Sequence, residues 1–137
     1  MRAVVIFFSG KNRNKMMALA KALGKGIEKQ GNQVDVYDGA KDTEIKLTMY
    51  QYIAVGAEPT GMFGGKIPDA VGVFLAAAGF IQGKKSYAFV SKAAFGAEKS
   101  LAHLMKGMEK EGMFLKNSDI LRSPAEAEEI GKRLHIA

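Results

Sequence analysis

Apolar residues in this chain come as short solid runs separated by longer periodic stretches. Val4 to Phe8 is a continuous apolar run, the pattern of a strand covered on both faces. From Asn14 to Gln30, Met16, Leu19, Ala20, Leu23 and Ile27 recur at helical spacing, and Gly31-Asn32 supplies the stop. Gln33 to Tyr37 sets Val34 and Val36 between polar neighbours and predicts a second strand, closed by an Asp38-Gly39 turn. The polar segment Ala40 to Leu47 predicts a turn or a short helix, and Tyr50 to Gly56 a third strand. Pro68 suits the first turn of a helix that continues from Asp69 to Gly79. Ser86 to Val90 predicts a fourth strand, and Glu98 to Glu111 a helix with Leu101, Leu104, Met105 and Met108 on one face. Phe114 to Leu121 predicts a fifth strand. Ser123 at a cap, Pro124 after it and Glu126 three residues on fit a capping box that opens a last helix, Ala125 to Leu134.

Strands alternating with helices predict an α/β fold with a parallel sheet. Right-handed crossovers place helices on both of its faces. No repeat, linker or low-complexity tract interrupts the pattern, so one domain over residues 1–137 is expected.

Composition narrows the chemistry. A chain of 137 residues with 47% hydrophobic content suits one packed core. There is no Cys, which excludes disulfides, thiolate nucleophiles and Cys-ligated metal centres. No run approaches the ~18 apolar residues of a membrane helix, so no membrane association is expected. The first apolar run stops at Ser9-Gly10-Lys11, too early for a signal peptide, and a cytoplasmic location is expected. The formal charge of +6 favours anionic ligands or partners. The basic residues are scattered, with no dense run, which argues against nucleic acid.

Ligands of open α/β sheets bind beyond the carboxyl ends of the strands, so three loops matter: Ser9–Asn14, Ala57–Lys66 and Ser91–Ala97. The first precedes a helix, whose free N–H groups and positive dipole end attract anions. Ser9, Asn12 and Asn14 offer side-chain donors, Gly10 allows close approach, and Lys11, Arg13 and Lys15 add charge. An ordinary helix cap on a basic surface accounts for the same residues. The second loop sets Met62 and Phe63 among glycines, which suits packing against a flat ring or folding inward as core. In the third, Phe95 is a second candidate ring cover, or a buried anchor.

Taken together these loops resemble those of the flavodoxin family. Flavodoxins join a first strand to a Ser/Thr-Gly-rich phosphate loop and helix, as in FFSGKNRNKMMALA. Their third strand leads into a Gly-Pro-Thr-aromatic-Gly-Gly loop, as in YIAVGAEPTGMFGGKIPDAVGVFL, and their fourth into a small-residue loop with an aromatic, as in YAFVSKAAFGAEKSL. The likeness runs from Arg2 to IGKRL near the end of the chain. It implies a three-layer flavodoxin-like fold with a five-stranded parallel sheet in the order 2-1-3-4-5. It implies FMN, with its phosphate on Ser9, Gly10, Lys11, Asn12, Arg13 and Asn14. The ring would then lie between Pro59, Thr60, Gly61, Met62 and Phe63 on one side and Lys92, Ala93, Phe95 and Gly96 on the other. Electron transfer through the bound flavin, with an acidic redox partner protein, would follow. The usual phosphate loop reads Ser/Thr-x-Thr-Gly-Asn-Thr; here Lys11, Asn12 and Asn14 replace its second Thr, its Gly and its last Thr. Flavodoxins are also typically acidic. These departures carry the alternative, a flavodoxin-fold domain that has lost flavin and serves as a binding or interaction module.

Other chemistries lack their residues. TGMFGGKI departs from the ATPase phosphate loop at Thr60 and Ile67, and the dinucleotide fingerprint G-x-G-x-x-G is absent. Phe8-Ser9 and Ala57-Glu58 stand where a receiver domain needs its acids. His103 and His135 are far apart and read as surface or structural residues, Glu128-Glu129 as solvated, and most of the eight Met as core filler.

Overall fold

A computed structural model describes all 137 residues. The strands are β1 (Arg2–Phe8), β2 (Gln33–Asp38), β3 (Tyr52–Ala57), β4 (Lys85–Ser91) and β5 (Phe114–Leu121). The helices are α1 (Arg13–Glu28), α2 (Ala70–Ala76), α3 (Ala97–Lys110) and α4 (Pro124–Gly131). The sheet runs β2-β1-β3-β4-β5 with every neighbouring pair parallel, the α/β architecture expected from the sequence.

Side chains alternate across a strand, so each solid apolar run feeds two cores. Val4, Ile6 and Phe8 of β1 join Ile53 and Val55 of β3 under α2 and α3, where Phe74, Leu104 and Met108 close the layer. Phe8 and Phe74 meet edge to face, with centroids 5.6 Å apart. On the other face Val5, Phe7, Tyr52, Ala54, Tyr87 and Phe89 pack against Met16, Leu19, Leu23 and Ile27 of α1 and Ala127 of α4.

Of the two expectations for residues 40–47 the turn holds, and no helix joins β2 to β3; other local expectations change. Lys41-Asp42-Thr43-Glu44 has no apolar face to bury. Leu47 and Tyr50 fill the core there instead. The segment is fastened by the Leu47 N–H to the Ala78 carbonyl (2.7 Å) and by Lys84 Nζ, which donates to the carbonyls of Thr48 and Tyr50. Burial lowers the Lys84 ammonium from its ordinary pKa. Helix α2 stops at Ala76, before Gly79, which adopts φ +90°. Ser123 Oγ accepts from the Glu126 N–H (3.2 Å), while the Glu126 carboxylate reaches the Arg122 N–H (2.9 Å), one residue upstream of a standard box. Met16, Met108 and Met113 are buried, but Met1, Met49 and Met62 are exposed, so methionine marks the core at only some positions. Glu128 is not simply solvated: it pairs with Lys29 at 2.6 Å and Lys25 at 3.9 Å, linking α4 to α1.

Two buried tyrosines differ in their hydroxyls. Tyr87 donates to Asp119 Oδ2 at 2.9 Å. The Tyr52 hydroxyl is buried without a partner, and burial raises its pKa. An orphaned buried hydroxyl costs ~1–3 kcal/mol. Tyr52→Phe is therefore expected to stabilise the fold by about 1 kcal/mol, seen as a higher urea midpoint at unchanged slope. A lower midpoint would show that the hydroxyl has a partner.

Candidate functional site

The chain leaves β1 toward β2 on one side, while β3, β4 and β5 extend on the other. The carboxyl edge between β1 and β3 is thus the switch point at which ligands of such sheets bind. Phe8 stands opposite Ala57, and Ala57 opposite Val90. This register delivers the three candidate loops side by side.

The first loop, residues 9–12, turns directly into α1. Asn12 caps the helix, its Oδ1 accepting from the Lys15 N–H at 3.2 Å. The N–H groups of Lys11, just before the cap, and of Arg13 and Asn14 in the first turn have no protein acceptor. Gly10 packs closely on the second loop; a Cβ there would lie 3.1 Å from Thr60 Cγ2. Its N–H donates to Glu58 Oε1 at 2.8 Å, and the Asn12 N–H to the same oxygen at 3.1 Å.

The cations of this loop divide. Lys11 is exposed and joins no ion pair. Arg13 points the other way. Its Nε donates to buried Asp38 Oδ2 at 2.8 Å, and its guanidinium lies 5.7 Å from the Phe7 ring. It therefore holds the start of α1 to the end of β2, on the side of β1 away from β3. Lys15 Nζ donates to the Lys92 carbonyl at 3.1 Å and ties α1 to the third loop.

The second loop is a small hairpin. Thr60 and Lys66 pair in antiparallel fashion, with Thr60 N–H to Lys66 O at 2.9 Å and the reverse bond at 3.3 Å. Gly61, Met62, Phe63 and Gly64 make its tip, closed by Gly64 N–H to Gly61 O at 3.2 Å. Met62 and Phe63 project outward, 90% and 77% exposed, rather than folding into the core. Phe95 on the third loop is also exposed, at 69%. Apolar side chains left in water at the tips of two facing loops mark a contact surface.

The hairpin rests on the third loop through glycines. A Cβ on Gly64 would stand 1.9 Å from the Phe95 carbonyl oxygen, and one on Gly96 2.3 Å from the Gly65 nitrogen. Ser100 Oγ, buried, donates to Lys66 O at 2.6 Å and clamps the hairpin base to α3. Two cavities result. One of about 220 Å³ is lined by Gly10, Lys11, Glu58, Pro59, Thr60 and Gly61. The other, about 170 Å³, lies between Pro59, Gly61, Met62 and Gly64 on one wall and Ala93, Ala94 and Phe95 on the other. They share Pro59 and Gly61. A larger depression of about 550 Å³ lies at the opposite end of the sheet. It is bordered by the C-terminal ends of α2 and α3, away from the three candidate loops.

The structure thus brings Gly10 and Lys11 beside Pro59, Thr60 and Gly61, ties Asn12 to Glu58, and sets Met62 opposite Ala93 and Phe95; Ser9, Phe63, Lys92 and Gly96 lie in the same three loops and Asn14 in the first turn of α1. Glu58 and Gly64 were assigned no role from the sequence.

No family model matches the chain, and no curated protein matches it. Solved structures do match. A flavodoxin from the domain Archaea superposes with a TM-score of 0.75 at 24% identity, over 97% of this chain and 95% of that one. The two-electron reduced flavodoxin of Megasphaera elsdenii gives 0.74 at 19%, over 95% and 96%. Oxidised flavodoxin 1 from Bacillus cereus gives 0.72 at 22%, over 96% and 95%. This is the flavodoxin fold. The sheet order and the four helices match that fold over nearly the full length of those flavodoxins. No helix of the chain is long and apolar enough to cross a membrane.

Proposed function

We propose that this protein binds a flavin, FMN or its unphosphorylated form, at the β1–β3 edge and carries electrons through it. The observation that carries the reading is the pair of adjoining cavities. One is walled by Met62 and Phe95 with backbone of Pro59, Gly61 and Gly64 between them; the other opens on a helix N-terminus and Lys11. A flat apolar ring with a polar tail fits that division. At the ring end the residues suit the group. At the tail end Lys11 and the free N–H groups of Lys11, Arg13 and Asn14 remain to meet an anion.

The flavin supplies the redox chemistry. The chain's own residues bind and orient it. Phe95 and Met62 would cover its faces and exclude water. The Pro59–Gly61 backbone would meet its polar edge, with Gly61 at φ +94° leaving a peptide orientation that other residues resist. Lys66, Lys92 and Lys99, all exposed beside these loops, would favour a negatively charged reduced ring and an acidic partner protein. The fold neighbours include flavodoxins described in oxidised and in two-electron reduced form, which supports a redox role.

The test is a visible spectrum of the protein reconstituted with flavin, before and after anaerobic dithionite. A bound flavin band that bleaches and returns on re-oxidation is expected. Phe95→Ala should weaken binding of FMN and riboflavin alike, by about 1 kcal/mol or roughly fivefold. Unchanged affinities would remove Phe95 from the ring site.

A second reading, a domain that no longer takes flavin, is favoured by one specific observation: the Glu58 carboxylate already accepts from two N–H groups of the phosphate loop.

A further inference from the structure

The loop after β1 already holds an anion, and the chain supplies it. Glu58 is the first residue beyond β3. Its Oε1 accepts from the N–H groups of Gly10 (2.8 Å) and Asn12 (3.1 Å), and its Oε2 from Asn12 (3.3 Å). Glu58 takes part in none of the ion pairs of the molecule. Its charge is balanced by backbone dipoles and the positive end of α1. Lys11 lines the same cavity without pairing to it.

A phosphate entering this loop meets two obstacles. It can displace Glu58, which then loses both charge-assisted bonds. Alternatively it can settle on the remaining N–H groups, of Lys11, Arg13 and Asn14, and lie against a like charge. Both routes oppose a phosphorylated ligand. Neither touches a ligand without phosphate, whose ring would occupy the crevice between Pro59–Gly64 and Ala93–Phe95.

We propose that Glu58 is a specificity-determining residue: an internal carboxylate that fills the phosphate loop and turns the site toward the unphosphorylated flavin. The proposal rests on the flavin reading above. It accounts for the missing Thr donors: the anion that this loop holds is part of the chain.

The test compares riboflavin and FMN on the wild type and on Glu58→Gln, followed by quenching of flavin fluorescence. The substituted amide retains an oxygen for the Gly10 and Asn12 N–H groups but carries no charge. FMN affinity should rise by about tenfold or more, roughly 1.4 kcal/mol, with riboflavin within about twofold. An unchanged ratio of the two affinities would overturn the proposal. A second arm uses no flavin. Inorganic phosphate is titrated against the backbone amide resonances of Gly10 and Asn12. They should shift saturably in Glu58→Ala, or in Glu58→Gln if the Ala variant does not fold, and stay fixed in the wild type. Equal shifts in wild type and variant would also overturn it. If neither flavin binds either protein, the flavin reading fails, while the phosphate arm still decides the role of Glu58.

Discussion

Gly64→Ala is expected to weaken flavin binding by roughly thirtyfold, about 2 kcal/mol, while leaving the protein folded. Two effects act at one atom. Gly64 sits at φ +71°, a left-handed conformation that costs an L-residue ~1–2 kcal/mol. Its new Cβ would also stand 1.9 Å from the Phe95 carbonyl oxygen. That oxygen is backbone, so no rotamer change relieves the overlap. The hairpin must lift from the third loop, and these loops form the two walls of the ring crevice. Loss of the ring contacts on both walls, at about 1 kcal/mol each, weakens binding by roughly thirtyfold. The stability loss should be ~1–3 kcal/mol, short of unfolding the protein because the contact lies outside both cores. Gly107→Ala is the control. It lies inside α3 with open space around it and should stabilise slightly, by up to about 1 kcal/mol, with flavin binding unchanged. Isothermal titration of the two variants beside the wild type reads both effects. Tight binding by Gly64→Ala would mean the two loops do not jointly form the site.

The second large effect is on stability. Gly26→Ala should destabilise the fold by about 3 kcal/mol, lowering the melting temperature by roughly 10 °C. Helix propensity alone gives the opposite sign, a gain of ~1 kcal/mol. Packing decides. A Cβ at Gly26 would lie 2.2 Å from the Glu128 carbonyl oxygen and 2.9 Å from Gly131 Cα. Gly131 is reciprocally close, 2.3 Å from the Leu23 carbonyl by the same measure. The helices cannot easily slide apart to relieve this. Lys29–Glu128 at 2.6 Å and Gln30 Nε2, which donates to Gly131 O and Leu134 O at 2.7 and 2.9 Å, fix the crossing. Calorimetry on Gly26→Ala and Gly131→Ala should give losses of similar size. A gain in either would show that the helices pack at another point.

Much of the fold was legible because strands buried on both faces leave solid apolar runs. Val4–Phe8 marks such a strand, β1, whereas Phe114–Leu121 gave the bounds of β5 from a mixed, largely exposed edge sequence. The β2–β3 connection was not legible, because Leu47 and Tyr50 reach the core from turns without periodicity. Two charged residues needed tertiary structure to be placed. Arg13 sits among loop residues in the sequence, yet its partner is Asp38 on β2. Glu58 lies 48 residues from Gly10, and only the adjacency of β1 and β3, with Phe8 opposite Ala57, puts the two together. A carboxylate placed immediately after a strand that neighbours a phosphate loop is the signal that could have found it. The glycine contacts at Gly64 and Gly96 were hidden for a similar reason: the glycines are plain to read, and only the register shows what they touch.

That the β1–β3 edge takes a flavin ring is tested most directly by titrating the purified protein with riboflavin and FMN, with flavin fluorescence as the readout. Saturable quenching by both is expected, at about one flavin per chain and with FMN no tighter than riboflavin. Absence of quenching with either would contradict the account and leave a flavodoxin fold whose carboxyl edge serves another ligand.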